Sequence, residues 1–333
     1  MNILVIKQTS LGDVLHATGH VRTIKQNFPD SRLTLLTDIT AADIFRHNPH
    51  VDRLLLIDRY RIKRDWYKEP GWALGHIRGV MAEVRRERYD LAFDLQGLLK
   101  SVIFLYGAEA GRKFVKGRWP VLQGFRRPEL HAIRELDGVL EAAGLTVRDS
   151  SMGFFTSQAE RETVDALLAR LNPLCKPLVV ISPFTRWPSK NWPLERFMEA
   201  AQSLSGPFLV AMTGDKSDRK RIQNQLAGEI YPDIANLAGR LTLPEFAELT
   251  RRAVLMISGD SFPMHVAGAV RTPVLALFGP TDEAKTGPLG DRDAVLRAPG
   301  CDRCDRPRCD KACLGRIEVE TVLEKAREML DRR

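Results

Sequence analysis

The stretch Asn172-Pro173-Leu174-Cys175-Lys176-Pro177 runs directly into Leu178-Val179-Val180-Ile181, and this junction decides how the 333-residue chain is organised. Two prolines and an asparagine break whatever precedes them, and a short uninterrupted apolar run then reads as a strand buried on both faces. Strand-like runs follow at Pro207–Thr213, Ala253–Ser258 and Pro273–Phe278, separated by stretches of helical period. The same alternation fills the chain before the junction. Strands are expected near Asn2–Lys7, Arg32–Thr37, Val51–Ile57 and Tyr89–Asp94, with helices near 13–28, 71–87, 97–106 and 129–143. Strands alternating with helices make parallel α/β units. The junction therefore marks a restart, and the fold class expected is α/β with two Rossmann-like domains.

Composition fits that expectation: 44% of residues are hydrophobic, enough for two ordinary cores. Met1 leads straight into Ile3-Leu4-Val5-Ile6 with no charged n-region or long apolar stretch, so no secretory leader is expected. No apolar run approaches the ~20 residues needed to cross a bilayer. A cytoplasmic protein is expected. The net charge of +8 is uneven, since residues 59–127 carry 16 Lys/Arg against 7 Asp/Glu, or +9, and the remainder sums to −1. Such a segment suits nucleic acid, anionic lipid or a phosphorylated acceptor, or is a solvated face. The aromatics Trp66, Tyr67, Trp72 and Trp119 within it favour an interfacial or sugar-contacting surface.

In open α/β sheets ligands bind beyond the carboxyl ends of the strands, so chemistry is sought in the loops that follow them. After the first strand comes Lys7-Gln8-Thr9-Ser10-Leu11-Gly12-Asp13. Ser10 or Asp13 can cap the next helix; alternatively Asp13 is a general base in an interdomain cleft, with Gly12 letting backbone approach a substrate. The loop Pro183 to Pro193 offers Thr185, Ser189, Arg186 and Lys190, hydroxyls and cations suited to a diphosphate. Ser258-Gly259-Asp260-Ser261-Phe262-Pro263-Met264-His265 enters a helix near Pro263. Ser261 and Pro263 are helix-start residues, but Asp260 and His265 in the same turn are not explained by capping. Phe278 to Thr286 nearly matches a phosphate-binding P-loop, with Ala284 where the second glycine belongs and Pro280 removing a donor. It is read as framing a nucleotide without hydrolysing it. Asp291-Arg292-Asp293 is assigned no catalytic role, and no G-x-G-x-x-G follows a strand, which weakens a dinucleotide-enzyme reading. Cys301, Cys304, Cys309 and Cys313 lie within thirteen residues and are candidate ligands of a structural zinc, though their spacing is not that of paired C-x₂-C knuckles. Cys175 is read as a bystander.

Taken in order, Ser10 to His16, Tyr89 to Ser101, Thr185 to Trp192, Asp260-Ser261 with Met264-His265, and Pro273 to Gly287 resemble the heptosyltransferases of lipopolysaccharide biosynthesis, glycosyltransferase family nine. The resemblance spans nearly the whole chain. It implies a GT-B fold with a donor/acceptor cleft between two domains, and an inverting transfer from ADP-heptose without a catalytic cofactor or metal. The acceptor implied is lipid A–Kdo or heptosylated lipopolysaccharide core. Carried over residue by residue, the base is Asp13 and the donor-binding set is Gly12, Thr185, Lys190, Asp260, Ser261 and His265. The family has Gly after the Asp–Ser/Thr pair where this chain has Phe262, which puts the contact at Ser261 in question. The domains expected are residues 1–155 on the acceptor side, a linker 156–176, a donor domain 177–316, and a helix 317–333 packing back across both. Arg112, Lys113, Lys116 and Arg118 are expected to meet the acceptor, with the basic segment on the anionic inner-membrane surface and no role in nucleic-acid binding. A GT-B nucleotide-sugar epimerase and a non-enzymatic membrane-surface binding protein are the alternatives.

Overall fold

The run Leu178–Ile181 forms the heart of strand β7 (Leu178–Ser182), and its side chains alternate between two cores. Val179 and Ile181 join Phe197, Trp192 and Leu323, whereas Leu178 and Val180 join Val164, Leu249 and Ala267. A strand covered on both faces needs apolar residues at every position, which is why it is uninterrupted in sequence. The structure, a computed structural model, describes residues 1–226, 231–309 and 312–332. It divides into two units, Met1–Phe155 and Thr156–Arg333.

The first unit runs β1 (Asn2–Ile6), α1 (Leu11–Asn27), β2 (Arg32–Asp38), α2 (Ala42–Phe45), β3 (Arg53–Ile57), α3 (Arg59–Asp65), α4 (Pro70–Arg85), β4 (Tyr89–Asp94), α5 (Leu99–Gly107), β5 (Ala110–Lys116), β6 (Gln123–Phe125) and α6 (Ala132–Glu141). Its six strands pair in parallel in the order β3-β2-β1-β4-β5-β6. The second unit begins with α7 (Gln158–Leu171), then β7, α8 (Leu194–Leu204), β8 (Leu209–Met212), α9 (Asp218–Gln225), β9 (Ile234–Asn236), α10 (Leu243–Arg252), β10 (Ala253–Gly259), α11 (Phe262–Val270), β11 (Val274–Phe278), α12 (Glu283–Thr286), β12 (Ala294–Arg297) and α13 (Val319–Asp331). Its sheet is also parallel, ordered β12-β11-β10-β7-β8-β9. Strand order reverses between β1 and β4 in one sheet and between β7 and β10 in the other. These are the crevices where open α/β sheets bind ligands.

The structure bears on three expectations. The stretch 156–176, expected as a linker, contains α7, opened by a capping box of Ser157 and Glu160 and anchored in the second core by the buried Val164. The second unit therefore starts at Thr156. The terminal helix, expected to pack back across both domains, lays Val322, Leu323 and Ala326 into the core of the second unit against α8 and β10. Finally, β5, β6, β9 and β12 had no counterpart among the expected strands. In β5 only Phe114 and Val115 are buried, and Arg112, Lys113 and Lys116 take three of the five other positions, where a central strand carries apolar side chains.

Candidate functional site

At the switch point of the second unit, the loop after β7 meets the end of β10. Gly259 makes the approach possible: a Cβ there would stand 3.0 Å from Lys190 O and 3.2 Å from Thr185 Cγ2. Lys190 Nζ donates to Asp260 Oδ2 at 2.6 Å, and Thr281 Oγ1 donates to the same oxygen at 2.6 Å. Asp260 is buried, and a buried carboxylate is held only with charge-assisted partners of this kind. The Lys190 ammonium also stands 4.5 Å from the Trp187 ring centroid, a cation–π contact that fixes its direction. Thr185 organises its own loop: its hydroxyl donates to Trp187 O at 2.8 Å and its backbone N donates to Asn191 Oδ1 at 2.8 Å. Ser261 is the N-cap of α11, Pro263 lies in its first turn, and His265 is buried one residue after Met264. The positive end of that helix dipole therefore faces the ion pair's loop.

Thr281 belongs to the near-P-loop segment, so that segment does contribute to the site. Arg297 on β12 secures it, donating to Gly279 O at 2.9 Å and Thr281 O at 2.5 Å and pairing with Glu283. That hydrogen-bonded guanidinium holds the Glu283 carboxyl down at about 2. From the cysteine segment, Asp305 N donates to Pro280 O at 2.8 Å, and Arg306 O accepts from Ser189 Oγ at 2.7 Å, tying the loops after β7 and β11 together. Of the four cysteines, Cys313 is buried beside Cys301, and burial pushes its thiol up to about 11. Among the described residues, no three or more His, Cys, Asp or Glu side chains are grouped so as to hold a metal. Asp293 accepts from Val274 N at 3.0 Å and Gly290 N at 2.7 Å, a turn-forming role.

At the switch point of the first unit, Asp13 occupies the third position of α1, and Gly12 lies beside it in the first turn. Its Oδ2 accepts from Ser10 N at 3.0 Å and Ser10 Oγ at 2.8 Å, a capping box that orients a carboxylate left partly open to solvent. Capping and a chemical role are therefore compatible. The register Ile6↔Asp94↔Val115 puts Lys7, Leu95 and Lys116 in the next row at the strand exits. Lys7 is buried, and its ammonium donates to Leu95 O at 3.0 Å. Burial lowers it to about 8, opposed first by the charge of Asp13. Asp94 accepts from Gln96 N, Gly97 N and Ser101 Oγ, yet burial still pushes it up to about 6.

Two cations that sequence reasoning did not single out converge here. Arg59 Nη1 donates to Thr9 Oγ1 at 2.7 Å and Lys100 Nζ to the same hydroxyl at 3.3 Å. Each follows a strand exit, which was the available signal. The four cations expected to meet the acceptor are not gathered in one place. Lys116 pairs with Glu135 at 2.7 Å, Lys113 donates to Tyr106 O at 3.2 Å, Arg112 lies over Phe114, and Arg118 is exposed beyond the strand.

Two doubly wound parallel sheets, one bearing an oriented carboxylate and the other a cation, hydroxyls and a helix N-terminus at its switch point, have the architecture of the GT-B class. Residues 77–314 match glycosyltransferase family 9 (heptosyltransferase), and the chain belongs to that family. It is 24% identical to lipopolysaccharide heptosyltransferase 1 of Escherichia coli K12, across 90% of this chain and 94% of the relative. It is 28% identical to lipopolysaccharide heptosyltransferase 1 of Pseudomonas aeruginosa PAO1, across 94% and 87%. Among solved structures, a family 9 glycosyltransferase from Veillonella parvula superposes with a TM-score of 0.87 at 21% identity, covering 100% of this chain and 97% of that one. E. coli heptosyltransferase WaaC with ADP gives 0.79 at 20%, covering 99% and 100%. A protein described as a UDP-N-acetylglucosamine 2-epimerase from Listeria monocytogenes gives 0.52 at 13% over 99% of this chain and 88% of that one, a likeness of fold alone. Among the described residues no helix is long and apolar enough to cross a membrane.

Proposed function

We propose that this enzyme transfers heptose from ADP-heptose to Kdo or heptose of the lipopolysaccharide inner core, at the cytoplasmic side of the membrane. Asp13 takes the proton of the acceptor hydroxyl while that oxygen bonds the anomeric carbon. The bond from that carbon to the diphosphate breaks, and its electron pair leaves with ADP. The developing charge on the diphosphate is met by Lys190, by the hydroxyls of Thr185 and Ser261, by His265, and by the N-terminus of α11. Asp260 and Thr281 keep Lys190 aimed, so the site is ordered before the donor arrives. These groups supply the stabilisation that a metal gives other transferases. On the acceptor side, Arg59 and Lys100 beside Thr9 suit the carboxylates or phosphates of an anionic core sugar.

The observation carrying this reading is the convergence of Lys190 and Thr281 on one oxygen of Asp260, inside the segment 77–314 that matches the family. The test is incubation of the purified enzyme with ADP-heptose and a panel of lipid A–Kdo and heptosylated acceptors, following acceptor mass and ADP. Heptosylated acceptor with equimolar ADP is expected. Consumption of ADP-heptose to an altered nucleotide sugar without acceptor would instead favour the epimerase.

A further inference from the structure

We infer that the hairpin of α3 and α4 is the surface by which this enzyme docks on an anionic phospholipid bilayer. The turn between the helices is exposed without interruption from Trp66 to Gly71. Tyr67 is 92% exposed, Tyr60 67%, Leu74 43% and Trp66 40%, large apolar side chains gathered within fifteen residues. Single exposed hydrophobics are ordinary, but a cluster ringed by cations marks an interaction surface. Residues 59–79 carry Arg59, Arg61, Lys63, Arg64, Lys68 and Arg78 against Asp65 and Glu69. The two acids are engaged by Arg61 and Arg64, while Lys63, Lys68 and Arg78 form no ion pair among the described residues. Tyrosine and tryptophan with a wet end and an apolar body, set among basic side chains, fit the headgroup boundary of an anionic bilayer.

The hairpin is built to present these side chains rather than to bury them. Asp58 caps α3 by accepting from Arg61 N at 2.8 Å, and its own N–H donates to His76 Nε2 at 3.0 Å, tying the start of α3 to α4. The Trp72 ring stacks on His76 with centroids 5.1 Å apart, and the Arg61 guanidinium lies 3.9 Å from its centroid. Trp72 is thus held between α3 and α4, while Trp66, Tyr67 and Leu74 stay exposed beside it in sequence. An open groove of about 520 Å³ continues the surface along α4 between Trp72, His76 and Glu83, floored by Gly75 and Gly79. Continuity with the site gives the surface its use. Arg59, the first residue of α3, reaches Thr9 in the loop that leads to Asp13. A bilayer under the hairpin brings an acceptor embedded in it to the acceptor-side cations. The docking claim rests on the proposed lipid-linked acceptor only for this purpose; the bilayer contact itself is measured without substrate.

The test is flotation of the full-length enzyme with vesicles of phosphatidylethanolamine and phosphatidylglycerol, compared with phosphatidylcholine alone, with tryptophan emission recorded alongside. Binding to the anionic vesicles only, with a blue shift, is expected. The pair Tyr67→Ser/Leu74→Ser should lower partitioning at least tenfold. Lys68→Gln/Arg78→Gln should lower it by about fivefold per cation and flatten its salt dependence. Both pairs are exposed, one residue of each on the turn and one on α4, and should keep the wild-type melting profile and turnover on a deacylated, water-soluble acceptor. Arg112→Gln/Arg118→Gln, on the β5 side, should partition as wild type. The inference is overturned by wild-type enzyme that ignores anionic vesicles, by hairpin variants that float undiminished, or by loss confined to the β5-side variant. Absence of transfer to the soluble acceptor by the wild type would overturn the heptosyl reading instead, whatever the vesicles show.

Discussion

A single oxygen, Oδ2 of Asp260, receives both Lys190 and Thr281, so Lys190 is an aimed cation and not a free one. Lys190→Ala should therefore do two things: raise the ADP dissociation constant about tenfold or more through loss of a charge-assisted contact, and lower the melting temperature by leaving a buried carboxylate short of a partner. Calorimetry and a thermal melt on the same preparation check both; unchanged ADP affinity would remove Lys190 from the donor site. Asp13 has a capping role and a proposed chemical one, and magnitudes separate them. Loss of a cap costs about 1 kcal/mol of stability, whereas loss of a general base costs ~10²–10⁴-fold in turnover. Asp13→Asn should thus melt slightly early, bind ADP as wild type and turn over at a hundredth of the rate or less. Asp94 yields a pH prediction. Its folded value of about 6 lies above its ordinary 3.8 because burial disfavours the charge, so its contribution to stability is full below about 3.8 and is lost as pH rises through 6. Asn keeps an oxygen for Gln96 N and Gly97 N, and Asp94→Asn should remove that decline in denaturant titrations between pH 4 and 7.

Among elements, the turn after β4 is the most constrained. Gly97 has φ +70°, and a Cβ there would stand 2.0 Å from Lys116 O. Gly97→Ala should destabilise the first unit by about 2 kcal/mol or more, read as a shifted denaturant midpoint. The same region explains what was legible in the sequence. β1, β2, β4, β7, β8, β10 and β11 lie inside their sheets and are covered on both faces, so they appear as apolar runs. β3, β6, β9 and β12 are edge strands; β3 keeps the apolar run Leu54–Ile57 and was legible, whereas β6, β9 and β12 are three or four residues long with few buried positions and look like loops, and β5 looked like a basic patch. The site was legible in the same uneven way. Asp13, Lys190, Asp260 and Ser261 stand at strand exits, a position sequence reveals. That Thr281, Arg297 and Gly259 complete the loops around Lys190, or that Arg59 and Lys100 meet at Thr9, depends on tertiary contacts between segments far apart in the chain.

For the whole molecule, the proposed reaction divides between the two units: Asp13, Arg59 and Lys100 belong to one, and Lys190, Thr185, Ser261 and His265, proposed to meet the diphosphate, to the other. Because the leaving group's charge is assigned to protein groups, turnover should be unchanged by EDTA; activity lost with chelator and restored by Mg²⁺ would reassign that charge to a metal. Elemental analysis of the same sample reports separately on the Cys301–Cys313 segment. The most direct test of the central claim is a mass-spectrometric time course with ADP-heptose and lipid A–Kdo or heptosylated acceptor, run on wild type and Asp13→Asn at matched ADP occupancy. Wild type should form heptosylated acceptor and ADP one for one, and Asp13→Asn should bind ADP equally but form at least a hundredfold less product; equal rates for the two enzymes, or donor consumed equally with and without acceptor, would contradict it.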